Sequence, residues 1–183
     1  MTILAVDDTA AYLKLLTELL KAEGYRVRAA FSGELALGAT RANPPELVLL
    51  DMRMPGMDGF EVCRRLKADP ITRDVPVIFL SAASEMKDKL QRFAAGAVDF
   101  VTKPFQRDEL LVRVRTHVEL HRLRHQLEGM VDARTVELKE SFNALHSILE
   151  TTQDGFWRID VQGKLHDVNP AYSFCPATRV SNC

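Results

Sequence analysis

Three acids, a lysine and a serine sit where chemistry would need them. Asp7 and Asp8 follow the apolar run Ile3-Leu4-Ala5-Val6, and Asp51 follows Leu47-Val48-Leu49-Leu50. Both runs read as strands buried on two faces, which brings the three carboxylates to one edge of a parallel sheet, the C-terminal edge where reactive groups collect. Crowded carboxylates repel, and burying them uncompensated is costly. The arrangement makes physical sense around a hard cation such as Mg²⁺, which takes oxygen ligands, retains waters and shares phosphates.

Ser81 ends a further apolar run, in Phe79-Leu80-Ser81, and Lys103 another, in Thr102-Lys103-Pro104-Phe105. A cation, an ammonium and a hydroxyl fixed in place neutralise the charge that gathers on equatorial oxygens during phosphoryl transfer. Asp51, rigid at its base on a buried strand and exposed at its tip before the turn Met54-Pro55-Gly56-Met57-Asp58-Gly59, suits an in-line nucleophile. Each residue taken singly has a plainer reading: paired acids cap helices, and strand-end Lys or Ser is usually just solvated. Their recurrence on one sheet edge favours the chemical reading.

Five strand-like runs must position these groups: Ile3–Val6, Tyr25–Ala30, Glu46–Leu50, Val75–Leu80 and Val98–Val101. They alternate with segments of helical period at Thr9–Glu23, Gly33–Arg41, Asp58–Ala68, Ser84–Ala95 and from Arg107 onward, a pattern that predicts α/β architecture with helices on both faces of a parallel sheet. In the first helix Leu13, Leu16 and Leu20 form one stripe, and Gly24 suits the left-handed turn that ends it.

The segment from Arg107 has no convincing breaker for about forty residues, longer than an ordinary globular helix. Leu120, Leu123 and Leu127, then Val131, Thr135, Leu138, Phe142, Leu145 and Leu149, are spaced by threes and fours with one extra four-step, the signature of a stutter in a coiled coil. A dimer through this helix is expected; a single helix folding back on its own domain is the alternative. After Glu150 the texture changes to a hairpin-like Phe156-Trp157-Arg158-Ile159, Gly163 and a second short strand, with too few residues left for an independent core.

Composition bounds the rest. Apolar residues at 46% and charged residues at 27% describe a globular chain, and a net charge of -1 gives no overall attraction to nucleic acid or acidic membranes. Cys63, Cys175 and Cys183 form no ligand cluster, and their odd number argues against a disulfide framework. With no signal-peptide core or membrane-length run, a cytoplasmic protein is expected. His117, His121 and His125 recur every four residues, a spacing that can bind metal. They are read here as the polar face of a long helix, and Arg113, Arg115, Arg122 and Arg124 as a solvated face.

Together the Asp7-Asp8 pair, the Asp51-x-x-Met-Pro-Gly-Met-Asp-Gly run, Ser81 and Lys103-Pro104 resemble the response-regulator receiver family over residues 2–122. The resemblance implies a five-stranded flavodoxin-like fold and a switch that accepts a phosphoryl group on Asp51 from a histidine kinase or phosphotransfer protein. It implies Mg²⁺, with Mn²⁺ as a substitute, held by the side chains of Asp8 and Asp51, by Asp7 through water and by the backbone carbonyl of Arg53. Ser81 and Lys103 would contact phosphoryl oxygens, the Lys103-Pro104 bond would be cis, and Ser81 with Phe100 would form the switch. Phe100 stands where the family often has Tyr, so its inward rotamer would depend on packing alone.

By further resemblance, residues 123–150 are similar to helical linkers and residues 151–183 to the start of a PAS domain that departs from its pattern after Tyr172. An output domain is expected downstream. A conventional enzyme is not expected: a magnesium-dependent aspartyl phosphatase commonly has a second acid two residues after its nucleophile, where this chain has Arg53. The other rival is an interaction module that works without phosphorylation.

Overall fold

The structure, a computed structural model, describes residues 1–82, 95–151, 157–162 and 165–168. It divides into two compact units, Met1–Gln126 and Leu127–Cys183. In the first unit β1 (Thr2–Val6), β2 (Arg26–Ala30), β3 (Leu47–Asp51), β4 (Val77–Ala82) and β5 (Asp99–Lys103) form one parallel sheet in the order β2-β1-β3-β4-β5. This is the flavodoxin-like arrangement, whose strand order reverses beside β1. The expected fold class is present.

Strand alternation sorts the apolar residues into two cores. Leu4, Val6, Val48, Leu50, Val77 and Phe79 pack against α2 (Gly33–Ala42) and α3 (Gly59–Ala68) through Ala36, Val62, Cys63 and Leu66. Ile3, Ala5, Leu47, Leu49, Ile78 and Leu80 pack on the other face with Leu13, Leu16 and Leu20 of α1 (Ala10–Ala22). That face also receives Leu110, Val114 and Val118 from α4 (Arg107–Thr151). Because β1, β3 and β4 are covered on both sides, their runs lack polar alternation, as the sequence shows.

Local signals act as expected. Ser32 and Asp58 cap α2 and α3 by accepting from Leu35 N and Glu61 N, and Gly24 ends the first helix region at φ 84°. Burial pushes the Cys63 thiol up to about 11, so it is a neutral core group. The helix expected over Ser84–Ala95 falls, but for Ala95, outside the described residues, as do Cys175 and Cys183.

The helix α4 is continuous for 45 residues. Beyond Val118 its apolar side chains are exposed in the single chain: Leu127, Leu138, Phe142 and Leu145 are all more than half exposed. In the second unit β6 (Trp157–Ile159) and β7 (Leu165–Val168) pair antiparallel, the hairpin read from the turn residues. Among the described residues no helix is long and apolar enough to cross a membrane.

The solvated-face reading fails for two residues of α4. Arg113 and His117, one turn apart, both reach the Asp99 carboxylate on β5, at 2.7 and 3.1 Å. Burial works against the charge on Asp99, but Arg113, the Phe100 N–H and His117 outweigh it and hold the carboxyl below its ordinary range. A carboxyl depressed in the folded state contributes stability that is complete above its unfolded pKa, about 3.9, and lost as pH falls through the folded value. Asp99→Asn should therefore lower the thermal midpoint at pH 7, with the gap to the unmodified chain closing as pH falls below about 4 in circular-dichroism melts.

Candidate functional site

The sheet order sets β1 beside β3 and β3 beside β4, so residues far apart in sequence meet at the C-terminal strand ends. Asp7 lies just past β1 and is fully buried; Asp51 is the last residue of β3 and 7% exposed; Asp8 is exposed. One carboxylate oxygen from each of the three lies within 4.8 Å of those from the other two. From the end of β5, Lys103 Nζ donates to Asp7 Oδ2 at 2.5 Å and to Asp51 Oδ1 at 2.6 Å. The sequence-derived set of acids and lysine is thus brought together. Two positions differ slightly from expectation: Asp51 belongs to its strand rather than following it, and Ser81 is the penultimate residue of β4.

Burial raises the Asp51 carboxyl above its ordinary range, opposed by Lys103 and reinforced by Asp7 and Asp8. For Lys103 burial acts downward, but its bonds to Asp51 and Asp7 outweigh it and hold the ammonium charged. Three carboxylates facing one ammonium leave a formal charge of two negatives. That deficit, the all-oxygen donor set and the clustered oxygens fit a hard divalent cation. An open cleft of about 520 Å³, lined by Asp8, Arg53, Asp58 and Phe60 among others, adjoins the acids.

Backbone contacts hold this edge in place. Met52 N donates to Leu80 O, Thr9 N to Asp7 Oδ1 and Gly59 N to Met52 O. Ser81 is buried and pairs in register with Thr102, while Phe100 pairs with Phe79 and packs on the α3-side core. The Lys103-Pro104 bond is cis. Sequence reasoning missed Tyr12 of α1, whose ring lies 4.4 Å from Lys103 Nζ. The ring supplies a cation-π contact on one side of the ammonium. A polar-tipped aromatic three residues into the helix after the acid pair was the available signal.

A doubly wound α/β domain with an acidic pocket and a partly buried lysine at its strand ends is the class that the fold and site define. The response regulator receiver domain profile matches residues 3–115, and the chain belongs to that family. Its receiver is 46% identical over 114 residues to the response regulator PleD of Caulobacter vibrioides, an alignment covering 62% of this chain and 25% of PleD. It is 42% identical over 113 residues to the DNA-binding dual master transcriptional regulator RpaA of a Synechocystis strain, covering 62% of this chain and 47% of RpaA. Among solved structures it resembles the receiver domain of a signal transduction histidine kinase from Syntrophus aciditrophicus. There the TM-score is 0.61 at 33% identity, covering 64% of this chain and 89% of that one. The chain thus spans between a quarter and a half of the length of these two curated relatives. Receiver domains are signalling modules of two-component systems rather than conventional enzymes.

Gly59 carries a steric constraint on the backbone of Asp51. A Cβ there would lie 2.3 Å from the Asp51 carbonyl oxygen and 2.9 Å from Met52 Cα, both backbone atoms that cannot swing aside. Gly59→Ala should destabilise the fold by about 1–3 kcal/mol, read as a lower thermal midpoint. Gly38→Ala, whose Cβ meets nothing within 4 Å in the interior of α2, should be neutral or raise it.

Proposed function

We propose that this receiver is a phosphorylation-dependent switch, with Asp51 accepting a phosphoryl group from a phosphohistidine on a histidine kinase or phosphotransfer protein. The observation that carries the reading is the Lys103 ammonium held against Asp51 beside two further carboxylates. An Asp51 oxygen attacks phosphorus, the bond to the donor imidazole nitrogen breaks, and that nitrogen keeps the electron pair. Lys103 leaves Asp7 to pair with a phosphoryl oxygen in this reading, and the Ser81 hydroxyl donates to another. Mg²⁺, or Mn²⁺ in its stead, would be held by Asp8 and Asp51, by Asp7 through water and by the Arg53 carbonyl, and would neutralise charge on the transferring oxygens.

Phosphorylation adds charge at Asp51. Ser81 then moves toward it and Phe100 fills the space vacated, held inward by packing alone, so that a local electrostatic event biases a two-state element. The receiver spans residues 1–122 in this reading. Residues 123–150 are a helical linker whose exposed seam, from Leu127 to Leu145, pairs with a second copy as a coiled coil, and the stutter offers alternative packings for the signal. The β6–β7 hairpin fits the opening of a PAS-like domain, residues 151–183. A cytoplasmic setting with no direct contact to nucleic acid or membrane completes the proposal, and the output belongs to a domain beyond this chain.

Intact-protein mass after incubation with Mg²⁺ and acetyl phosphate tests the chemistry. One labile phosphoryl adduct is expected, absent from Asp51→Asn and from metal-free samples, and formed roughly 10²-fold more slowly in Lys103→Ala. No adduct from acetyl phosphate or from a donor kinase would sink the reading in favour of an interaction module independent of phosphorylation.

A further inference from the structure

Phe100 and α4 lie on opposite faces of the sheet. Phe100 packs with the core that joins α3 to Phe79, whereas Val101 packs with Leu110, Val114 and Val118 of α4. Among the described residues, the packing of the Phe100 ring therefore gives it no apolar path to α4.

A directional path does exist, one residue away. Asp99 Oδ1 accepts from the Phe100 N–H at 2.8 Å, and the same carboxylate is gripped from α4. Arg113 Nη1 donates to Oδ1 at 2.7 Å and to Oδ2 at 2.8 Å, and His117 Nε2 lies 3.1 Å from Oδ2. Glu109, one turn before Arg113, accepts from its Nε and Nη2 at 3.2 and 3.1 Å and braces the guanidinium from the far side. The Asp99 and His117 side chains are each 18% exposed, so the contact is shielded from the solvent that weakens ordinary surface pairs.

We infer that Asp99 is the joint between the switch strand and the signalling helix. One carboxylate ties the backbone of Phe100 to two successive turns of α4, so that a change in the Phe100 backbone redirects Arg113 and His117 and thereby the helix. Asp99, Arg113 and His117 are positioning residues that touch neither the phosphoryl group nor the acid cluster. The inference rests on the phosphoacceptor reading and names the side chains that carry its signal.

Hydrogen-exchange mass spectrometry of the full chain, with and without acetyl phosphate and Mg²⁺, tests it in parallel with intact mass. The unmodified chain and Glu109→Gln should both take the adduct and show a phosphorylation-linked change in exchange over residues 120–148. Asp99→Asn should take the adduct to the same extent and keep residues 110–118 protected, yet lose that change. Should residues 110–118 lose protection in Asp99→Asn, Arg113→Lys, which keeps the charge but not the two-oxygen grip, must show the same loss of response. A full response in Asp99→Asn, or in Arg113→Lys under that condition, overturns the joint. So does an unmodified chain that loads but whose helix does not respond, although the phosphoacceptor reading then stands. Absence of any adduct on the unmodified chain removes the phosphoacceptor reading and the joint with it.

Discussion

One ammonium placed between two buried carboxylates organises this domain. Lys103 comes from the last residue of β5, Asp7 from just past β1 and Asp51 from the end of β3, so their contact demands that β1, β3, β4 and β5 lie in order with their C-terminal ends level. The ammonium compensates only part of the charge it faces. Asp8 adds a third carboxylate at the rim, and the pocket keeps a negative surplus that a divalent cation is suited to neutralise.

The rest of the fold serves this edge by being rigid where the site needs it. Two cores hold the sheet from either side, and β1, β3 and β4, whose C-terminal ends bring in the acids and Ser81, are the most deeply buried strands. The close passage of Gly59 against the Asp51 carbonyl fixes the backbone of Asp51 from the α3 side, and Tyr12 faces the lysine from α1. The helix α4 has two characters. Its first three turns bury Leu110, Val114 and Val118, and the remainder carries apolar residues to solvent in the single chain.

Much of this was legible in the residues. Continuous apolar runs such as Leu47-Val48-Leu49-Leu50 announced doubly covered strands, and the acids, serine and lysine at the ends of four of the five runs announced the candidate site. What stayed hidden depended on tertiary placement. Tyr12 is an unremarkable helix residue until β5 brings Lys103 beneath it. Arg113 and His117 look like parts of a solvated helix face because their partner, Asp99, sits on a strand that sequence spacing alone cannot orient toward α4. Gly59 reads as part of a turn, and only the structure shows that the Asp51 backbone occupies the space its side chain would need.

Lys103 leaves the acid cluster under-compensated, a charge deficit that a divalent cation is suited to relieve. Thermal unfolding of the unmodified chain and of Asp8→Asn, each with chelator and with excess Mg²⁺, measures this. Without metal, Asp8→Asn should melt higher, because it relieves repulsion among the carboxylates. Excess Mg²⁺ should raise the unmodified chain and abolish or reverse that difference, since binding stabilises only the folded state that holds the ion. Equal shifts in both proteins, or none in either, would contradict the account.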